Sequence, residues 1–291
     1  TAKAGTNYTG SKSKNFTINK KAIQVTNGNY NGNYDGQSHT ITLTVTEPSG
    51  TTIYYSTTTT LTSSNYSSAW STTKPSRTEG GTTTVYWYVH TTNWNYSDVN
   101  GSNTITINKI ANTLSVSAKS LTYNGAAQAL VTASNAQWTV YYAVGTQLTS
   151  SNYSTAWSTT IPSKTDAGTY TVYYYTPGNT NYNAKNGSVN VTIAQYNLSN
   201  ATIASVSAVT YNGSAHTPTP AVTVPIPSGS STTLTNGTHF TYGYTNNTNA
   251  WTATITVTAK AGTNYTGSKS KNFTINKASI TVPSSPSAKT Y

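Results

Sequence analysis

A closing-strand motif recurs four times along this chain and sets the size of whatever folds between its copies. It reads Asn15-Phe-Thr-Ile-Asn-Lys20, Asn103-Thr-Ile-Thr-Ile-Asn-Lys109, Ser188-Val-Asn-Val-Thr-Ile193 and Asn272-Phe-Thr-Ile-Asn-Lys277. Its isoleucines Ile18, Ile107, Ile193 and Ile275 stand 89, 86 and 82 residues apart. A turn motif follows each copy: Tyr34-Asp35-Gly36, Tyr123-Asn124-Gly125, Tyr211-Asn212-Gly213 and the terminal Tyr291. Self-similarity at such a spacing marks an array in which each repeat is one folding unit. The spacing predicts three full modules, 21–109, 110–194 and 195–277. Residues 1–20 then read as the C-terminal strands of a preceding module, and 278–291 as the first strand of a following one.

Residues 1–20 and 258–277 are identical, letter for letter. A shared fold tolerates changes at exposed Lys, Ser and Asn, so identity there points to copying of the gene itself. After Lys277 the match to Lys20 onward survives only as pattern, which makes the array a mosaic of related modules. The first two full modules are siblings. Leu61-Thr-Ser-Ser-Asn-Tyr-Ser-Ser-Ala-Trp-Ser-Thr-Thr73 aligns with Leu148-Thr-Ser-Ser-Asn-Tyr-Ser-Thr-Ala-Trp-Ser-Thr-Thr160, and a Pro-Ser follows each at Pro75 and Pro162.

Within modules the apolar period is two, the signature of half-buried strands. Tyr170, Val172 and Tyr174 share one face, as do Val85 and Trp87, while Tyr86, Tyr88, Tyr173 and Tyr175 fall on the other. No helical periodicity appears. Short strands with Gly, Asn and Pro turns between them imply an all-β sandwich or small barrel. Linkers are nearly absent: Ile107-Asn-Lys109 runs almost directly into Thr113-Leu-Ser-Val-Ser117, unlike a flexible Gly/Ser tether. The expected architecture is therefore a tandem array of sandwiches stacked end to end as a semi-rigid rod.

Charged residues are only 7 % of the chain, which argues against disorder driven by charge. With a thin aliphatic content, the 24 tyrosines are expected to supply much of the buried apolar area, and the six tryptophans to fill cores. The absence of Cys rules out disulfides and thiolate metal sites. No apolar run approaches the ~18 residues of a membrane span, so no transmembrane segment is expected. The net charge of +11 would suit anionic partners, but the cations are thinly spread and read as solvated lysines.

The third module runs Tyr211-Asn-Gly-Ser-Ala-His-Thr-Pro218, Leu234-Thr-Asn-Gly-Thr-His-Phe240, Tyr244-Thr-Asn-Asn-Thr-Asn-Ala250 and Asn264-Tyr-Thr-Gly267 before its closing Phe273-Thr-Ile275. This order resembles the Ig-like and MBG-type repeats of large bacterial surface proteins. It departs from them where His239-Phe240 replaces Asp-Tyr and where Trp251 stands in place of Gly. The sibling modules resemble a sister type, and Thr165-Asp-Ala-Gly-Thr-Tyr170 looks like the Asp-x-Gly-x-Tyr corner of immunoglobulin-like sandwiches. Thr78-Glu-Gly-Gly-Thr-Thr83 lacks that tyrosine. The resemblance implies an extracellular or cell-surface stalk, adhesin spacer or filament element.

Catalysis needs converging titratable groups. The only acids are Asp35, Glu47, Glu79, Asp98 and Asp166, and the only histidines His39, His90, His216 and His239. No catalytic, cofactor or metal site is expected. His39 and His216 each follow a turn tyrosine by five residues and read as structural equivalents. Partners are expected to be neighbouring modules, other copies in a fibre, or anionic or neutral surface glycans. Nucleic acid is not expected, because no RRM, OB or helix-turn-helix signature is present. For glycans, the outward Tyr86, Tyr88, Tyr173 and Tyr175 are the candidate interaction surface. Asn-x-Ser/Thr sequons occur at Asn7, Asn65, Asn152, Asn200 and Asn264, as chance would allow in so polar a chain.

Overall fold

The computed structural model describes residues 1–5, 7–68, 71–155, 157–226 and 230–281. Strands and turns alternate throughout, and the one helical element among the described residues is the 3₁₀ turn Leu198–Asn200. The chain forms two compact units: Thr1–Asn112 with Gly178–Ala184, and Thr113–Pro177 with the described residues from Lys185 onward.

The first unit holds one β-sandwich. Its larger sheet orders the strands Tyr30–Asn33, Val99–Asn108, Gly81–His90 and Thr52–Ser56. Tyr30–Asn33 runs parallel to Val99–Asn108, and the other pairs are antiparallel. The facing layer is Gln24–Gly28 paired with Thr42–Glu47. Thr, Val, Ile and Tyr fill these strands because β-branched and aromatic side chains pack well on a pleated surface. Alternate residues Val85, Trp87 and Val89 meet Ile23, Ile41, Leu43, Tyr55 and Ile105 in the core. Each such side chain contributes about 1.5–3 kcal/mol on burial. Trp87 donates its indole N–H to Asn103 Oδ1 at 2.8 Å. Gly101 lies across from its ring, where a Cβ would come within 2.4 Å.

The second unit holds two sandwiches of the same plan. One pairs the sheet Leu121–Thr122, Lys185–Ala194, Gly168–Thr176 and Tyr141–Val144 with Ser115–Ala118 and Val131–Ser134. The other pairs Val209–Thr210, Ser268–Asn276, Trp251–Ala259 and Phe240–Thr245 with Thr202–Ile203, Val222–Val224 and Thr232–Thr233. Register repeats across all three larger sheets: Gly81 faces Ile107, Gly168 faces Ile193, and Trp251 faces Ile275. The turns after each closing strand are alike too. Gly36, Gly125 and Gly213 take φ of 78°, 76° and 80°, which glycine adopts without strain. Asp35, Asn124 and Asn212 each accept a backbone N–H two residues on, at 2.8–3.0 Å.

The cores are more aliphatic than the composition suggests. The deepest side chains are Phe240, Ile41, Leu61, Ile105, Ile107, Leu114, Leu130, Leu148, Ile193, Leu198, Ile255 and Ile275. Most tyrosines line the core margins instead, because a phenol buried deep needs a partner for its hydroxyl. Tyr170 shows this: its OH donates to the Asp166 carbonyl at 2.8 Å, closing the corner that its sequence resembles. In the sibling, where Thr83 replaces the tyrosine, Arg77 does the work. Its guanidinium donates to Glu79 O at 2.7 Å, to Gly80 O at 2.6 Å and to Thr83 Oγ1 at 2.9 Å.

The duplicated twenty residues take two forms. In 258–277 they form Tyr265–Thr266 and Ser268–Asn276, with Phe273 3 % and Ile275 2 % exposed. In 1–20 no strand forms among the described residues, and Phe16 and Ile18 are 83 % and 81 % exposed. Their strand structure comes from partners, since the letters are the same.

Candidate interaction surfaces

The tyrosines expected to face outward do lie on the outer face of the larger sheets, but that face is covered in part. Tyr88 and Tyr175 are buried, and Tyr86 and Tyr173 are half-buried. The sibling segments starting at Leu61 and Leu148 fold back over Tyr88 and Tyr175. Tyr66 stacks on Tyr88 at 4.6 Å between ring centroids, and Tyr153 on Tyr175 at 4.7 Å. Each flap is pinned by an asparagine. Asn65 accepts from the Thr62 N–H at 2.7 Å and donates to Thr60 O at 3.0 Å. Asn152 makes the same bonds with Thr149 N–H and Gln147 O. Of the stripe read as a glycan surface, Tyr88 and Tyr175 are thus packed under the flaps, while Tyr86 and Tyr173 stay half-exposed.

The tryptophans divide. Trp87 is in the core, Trp138 is half-buried and Trp157 packs edge-on against Tyr141 at 4.5 Å while remaining partly exposed. Trp70 lies outside the described residues. Trp94 and Trp251 are 85 % and 77 % exposed, against the expectation that they fill cores.

A contact not foreseen from the sequence occurs once in each unit. In the first, the tip Gly178–Ala184 sets Asn181 against the turn Glu79-Gly80. The Asn181 carboxamide accepts from the Gly80 N–H at 2.8 Å and donates to the Glu79 carboxylate. Its backbone carbonyl accepts from Ile110 N–H at 2.9 Å. Tyr182 meets Tyr34 edge to face at 5.8 Å. Gly80 is required, because a Cβ would lie 2.2 Å from Thr180 O. In the second unit, Asn264 accepts from the Ala167 N–H at 2.8 Å and donates to Asp166 Oδ1 at 3.0 Å. Its carbonyl accepts from Tyr196 N–H at 2.9 Å. Tyr265 meets Tyr123 edge to face at 5.6 Å, and burial, then Tyr123, pushes its phenol up to about 12. Both contacts use one design: an Asn-Tyr hairpin meets an acidic turn and a turn tyrosine. The Asn-Tyr pair alone does not single these hairpins out, because it also occurs at 7–8, 29–30, 33–34, 65–66, 95–96 and 152–153.

The remaining acids are held locally. Asp98 accepts from Tyr88 OH and His90 Nδ1 at 2.8 Å and from Thr91 N–H at 3.0 Å. Burial opposes ionisation of Asp98, but those hydrogen bonds prevail and hold its carboxyl below the usual range. Burial and Asp98 together push the Tyr88 phenol well up. Glu47 accepts from Lys21 at 2.5 Å and Tyr96 OH at 2.6 Å, and Asp35 pairs with His39 at 2.9 Å. His39 and His216 share a backbone role, each bonding a neighbouring turn: His39 N–H donates to Arg77 O, and His216 N–H to Asn247 O. At the sequons, the Asn65, Asn152 and Asn264 carboxamides are all engaged.

No family model matches the chain, and no curated protein matches it. Solved structures of modular β-proteins are similar at low scores. Protocadherin gamma B2 extracellular cadherin domains 1–5 shows 12 % identity and a TM-score of 0.25, covering 91 % of this chain and 61 % of that one. Mouse cadherin-23 EC22–24 shows 13 % identity and 0.23, covering 91 % and 98 %. The Bacteroides ovatus mixed-linkage glucan utilization locus SGBP-B, solved with a mixed-linkage heptasaccharide, shows 15 % identity and 0.21, covering 89 % and 69 %. The chain spans about three fifths of the protocadherin fragment's length. Scores this low carry no argument about function. The class is defined by the sheets themselves: an all-β chain of Ig-like sandwich modules.

Proposed function

We propose that this chain is a structural repeat segment of a long secreted or surface-anchored prokaryotic protein, serving as a stiff stalk, spacer or filament building block. The observation that carries the reading is the Asn-Tyr contact, built the same way in both units from different sequences. Each contact fixes a hairpin by two side-chain hydrogen bonds, one backbone hydrogen bond and an aromatic pair. A flexible tether would need none of these. An enzymatic role is not proposed, because all five acids have structural partners: His39, Lys21, Asn181, His90 and Asn264. The partners are neighbouring modules and other copies, and the setting is the cell exterior.

Small-angle scattering on the dilute chain tests this. A stiff array of three sandwiches gives a maximum dimension of about 100–120 Å from strand dimensions. A compact globule, or the profile of freely jointed beads, overturns the reading.

A further inference from the structure

Seven asparagines in this chain stand directly before a glycine. Such a pair can lose ammonia without an enzyme, because the glycine nitrogen can attack the side-chain carbonyl carbon and no Cβ hinders its backbone from turning. The fold quiets most of them. Asn27, Asn31, Asn100 and Asn186 lie in paired strands, whose ladders hold the following peptide extended. After Asn236, the Gly237 N–H donates to Phe240 O at 2.8 Å. Asn124-Gly125 and Asn212-Gly213 remain, both in turns.

In these two turns the asparagine side chain folds back along the chain. Asn212 Oδ1 accepts the Ser214 N–H at 2.9 Å, and Asn124 Oδ1 that of Ala126 at 3.0 Å. The bond carries the side-chain carbonyl alongside the intervening glycine nitrogen. Its donor also faces the oxygen on which negative charge develops during attack. Neither glycine N–H has a backbone acceptor among the described residues. Asn212 is exposed and open to water, whereas Asn124 is half-buried.

The first module shows what an acid does at this place. There the turn holds Asp35, with His39 four residues on. Asp35 Oδ1 accepts the Gln37 N–H at 2.8 Å and pairs with His39 Nε2 at 2.9 Å. His216 stands four residues after Asn212 and shares the backbone role of His39. Its Nε2, however, is buried and makes no hydrogen bond among the described residues. A carboxylate accepts on both oxygens, so it can serve a turn N–H and an imidazole N–H together. The second module has Gln128 at the histidine position.

We propose that Asn212 is a site of spontaneous deamidation, and that its aspartate product pairs with His216 as Asp35 pairs with His39. The Gly213 nitrogen bonds to Asn212 Cγ and gives up its proton. The bond from Cγ to Nδ2 breaks, and the amide nitrogen takes up a proton and leaves as ammonia. Water then opens the cyclic imide. Cleavage between Cγ and the Gly213 nitrogen restores the peptide with aspartate at 212. Cleavage at the main-chain carbonyl leaves isoaspartate, with its carboxylate on a lengthened backbone. The aspartate form gives the third module an ion pair that asparagine cannot make, so the module tightens with age. This goes beyond the stalk reading and does not depend on it.

Peptide mapping by mass spectrometry, on the full chain kept for weeks at mildly alkaline pH, tests the chemistry. Acid should appear first at 212, as aspartate and isoaspartate together, with Asn27, Asn31, Asn100 and Asn186 about tenfold or more behind. Thermal melts test the pairing. Asn212→Asp should raise the melting temperature by about 1–3 °C, the scale of an exposed ion pair in a chain of this size. The gain should vanish in a His216→Gln background, and Asn124→Asp, with no histidine beside it, should show none. An amide at 212 that lasts as long as those in the strands overturns the proposal, and so does isoaspartate as the sole product. So does an Asn212→Asp gain that is absent or that survives His216→Gln. The mapping uses the parent chain and stands even if His216→Gln fails to fold.

Discussion

The Asn264 carboxamide donates to the Asp166 carboxylate, 98 residues back in the chain, and accepts from the neighbouring Ala167 N–H. Only a primary amide presents a donor and an acceptor side by side at that length. A carboxylate at the same place would face Asp166 with like charge. Asn264→Asp should therefore cost about 1–2 kcal/mol at neutral pH, more than Asn264→Ala at about 1 kcal/mol. The new carboxyl has a raised folded-state pKa, so its penalty is present above that value and fades as acid protonates it. Urea unfolding at pH 7 and pH 3 checks this: the Asp variant should approach the Ala variant at low pH.

The flap over the outer sheet rests on Tyr66, stacked on Tyr88 and set at 5.1 Å from Tyr54. Tyr66→Ala should lower the stability of the first unit by about 2–4 kcal/mol, the range for losing a packed aromatic with its ring contacts. Hydrogen exchange should show faster amides across the 61–68 segment while Gly81–His90 stays protected. An unchanged unfolding midpoint would mean that the flap is a surface ornament.

Asp98 gives the first unit an acid-sensitive component. Its carboxyl titrates lower folded than unfolded, where about 3.9 is normal. Its contribution is complete above the unfolded value and is lost as pH falls through the folded one. Asp98→Asn should be less stable than the parent at pH 7, with the gap narrowing below about pH 4. Thermal melts of both proteins from neutral to strongly acidic pH give the comparison, and a gap that widens in acid contradicts the assignment.

Trp251→Gly should raise the melting temperature of the isolated chain. The native φ of 157° strains tryptophan and suits glycine, and relief of such strain is worth about 1 kcal/mol or more. Most of the side chain is exposed, so little packing is lost. Calorimetry on both proteins measures the difference. A lower melting temperature would show that the ring stabilises its own module.

Much of the fold was legible in residues. The period-two faces of Val85-Trp87 and Tyr170-Val172-Tyr174 reached the cores as read, and the Thr165–Tyr170 corner closed through the hydroxyl its motif requires. The surfaces were not. Alternation says which face of a strand a tyrosine occupies, but it does not say that Leu61–Ser68 folds back over that face. Trp94 and Trp251 looked like core residues because an aromatic ring carries no mark of its depth. The Asn-Tyr hairpins were hidden among eight such pairs in the chain, and their meaning depends on a turn about a hundred residues away, beyond the reach of local pattern.

The two copies of TAKAGTNYTGSKSKNFTINK set a folding problem that the chain solves by distance. Either copy could pair with the ladder of Trp251–Ala259, because the letters that pair are the same. The near copy closes a loop of about ten residues and the far copy one of more than about two hundred, and loop-closure entropy alone favours the near copy by about 3 kcal/mol. That margin is a preference of roughly a hundredfold. It holds while one chain folds by itself and shrinks when many unfolded copies crowd together, so refolding at high concentration is where strands should pair with the wrong chain.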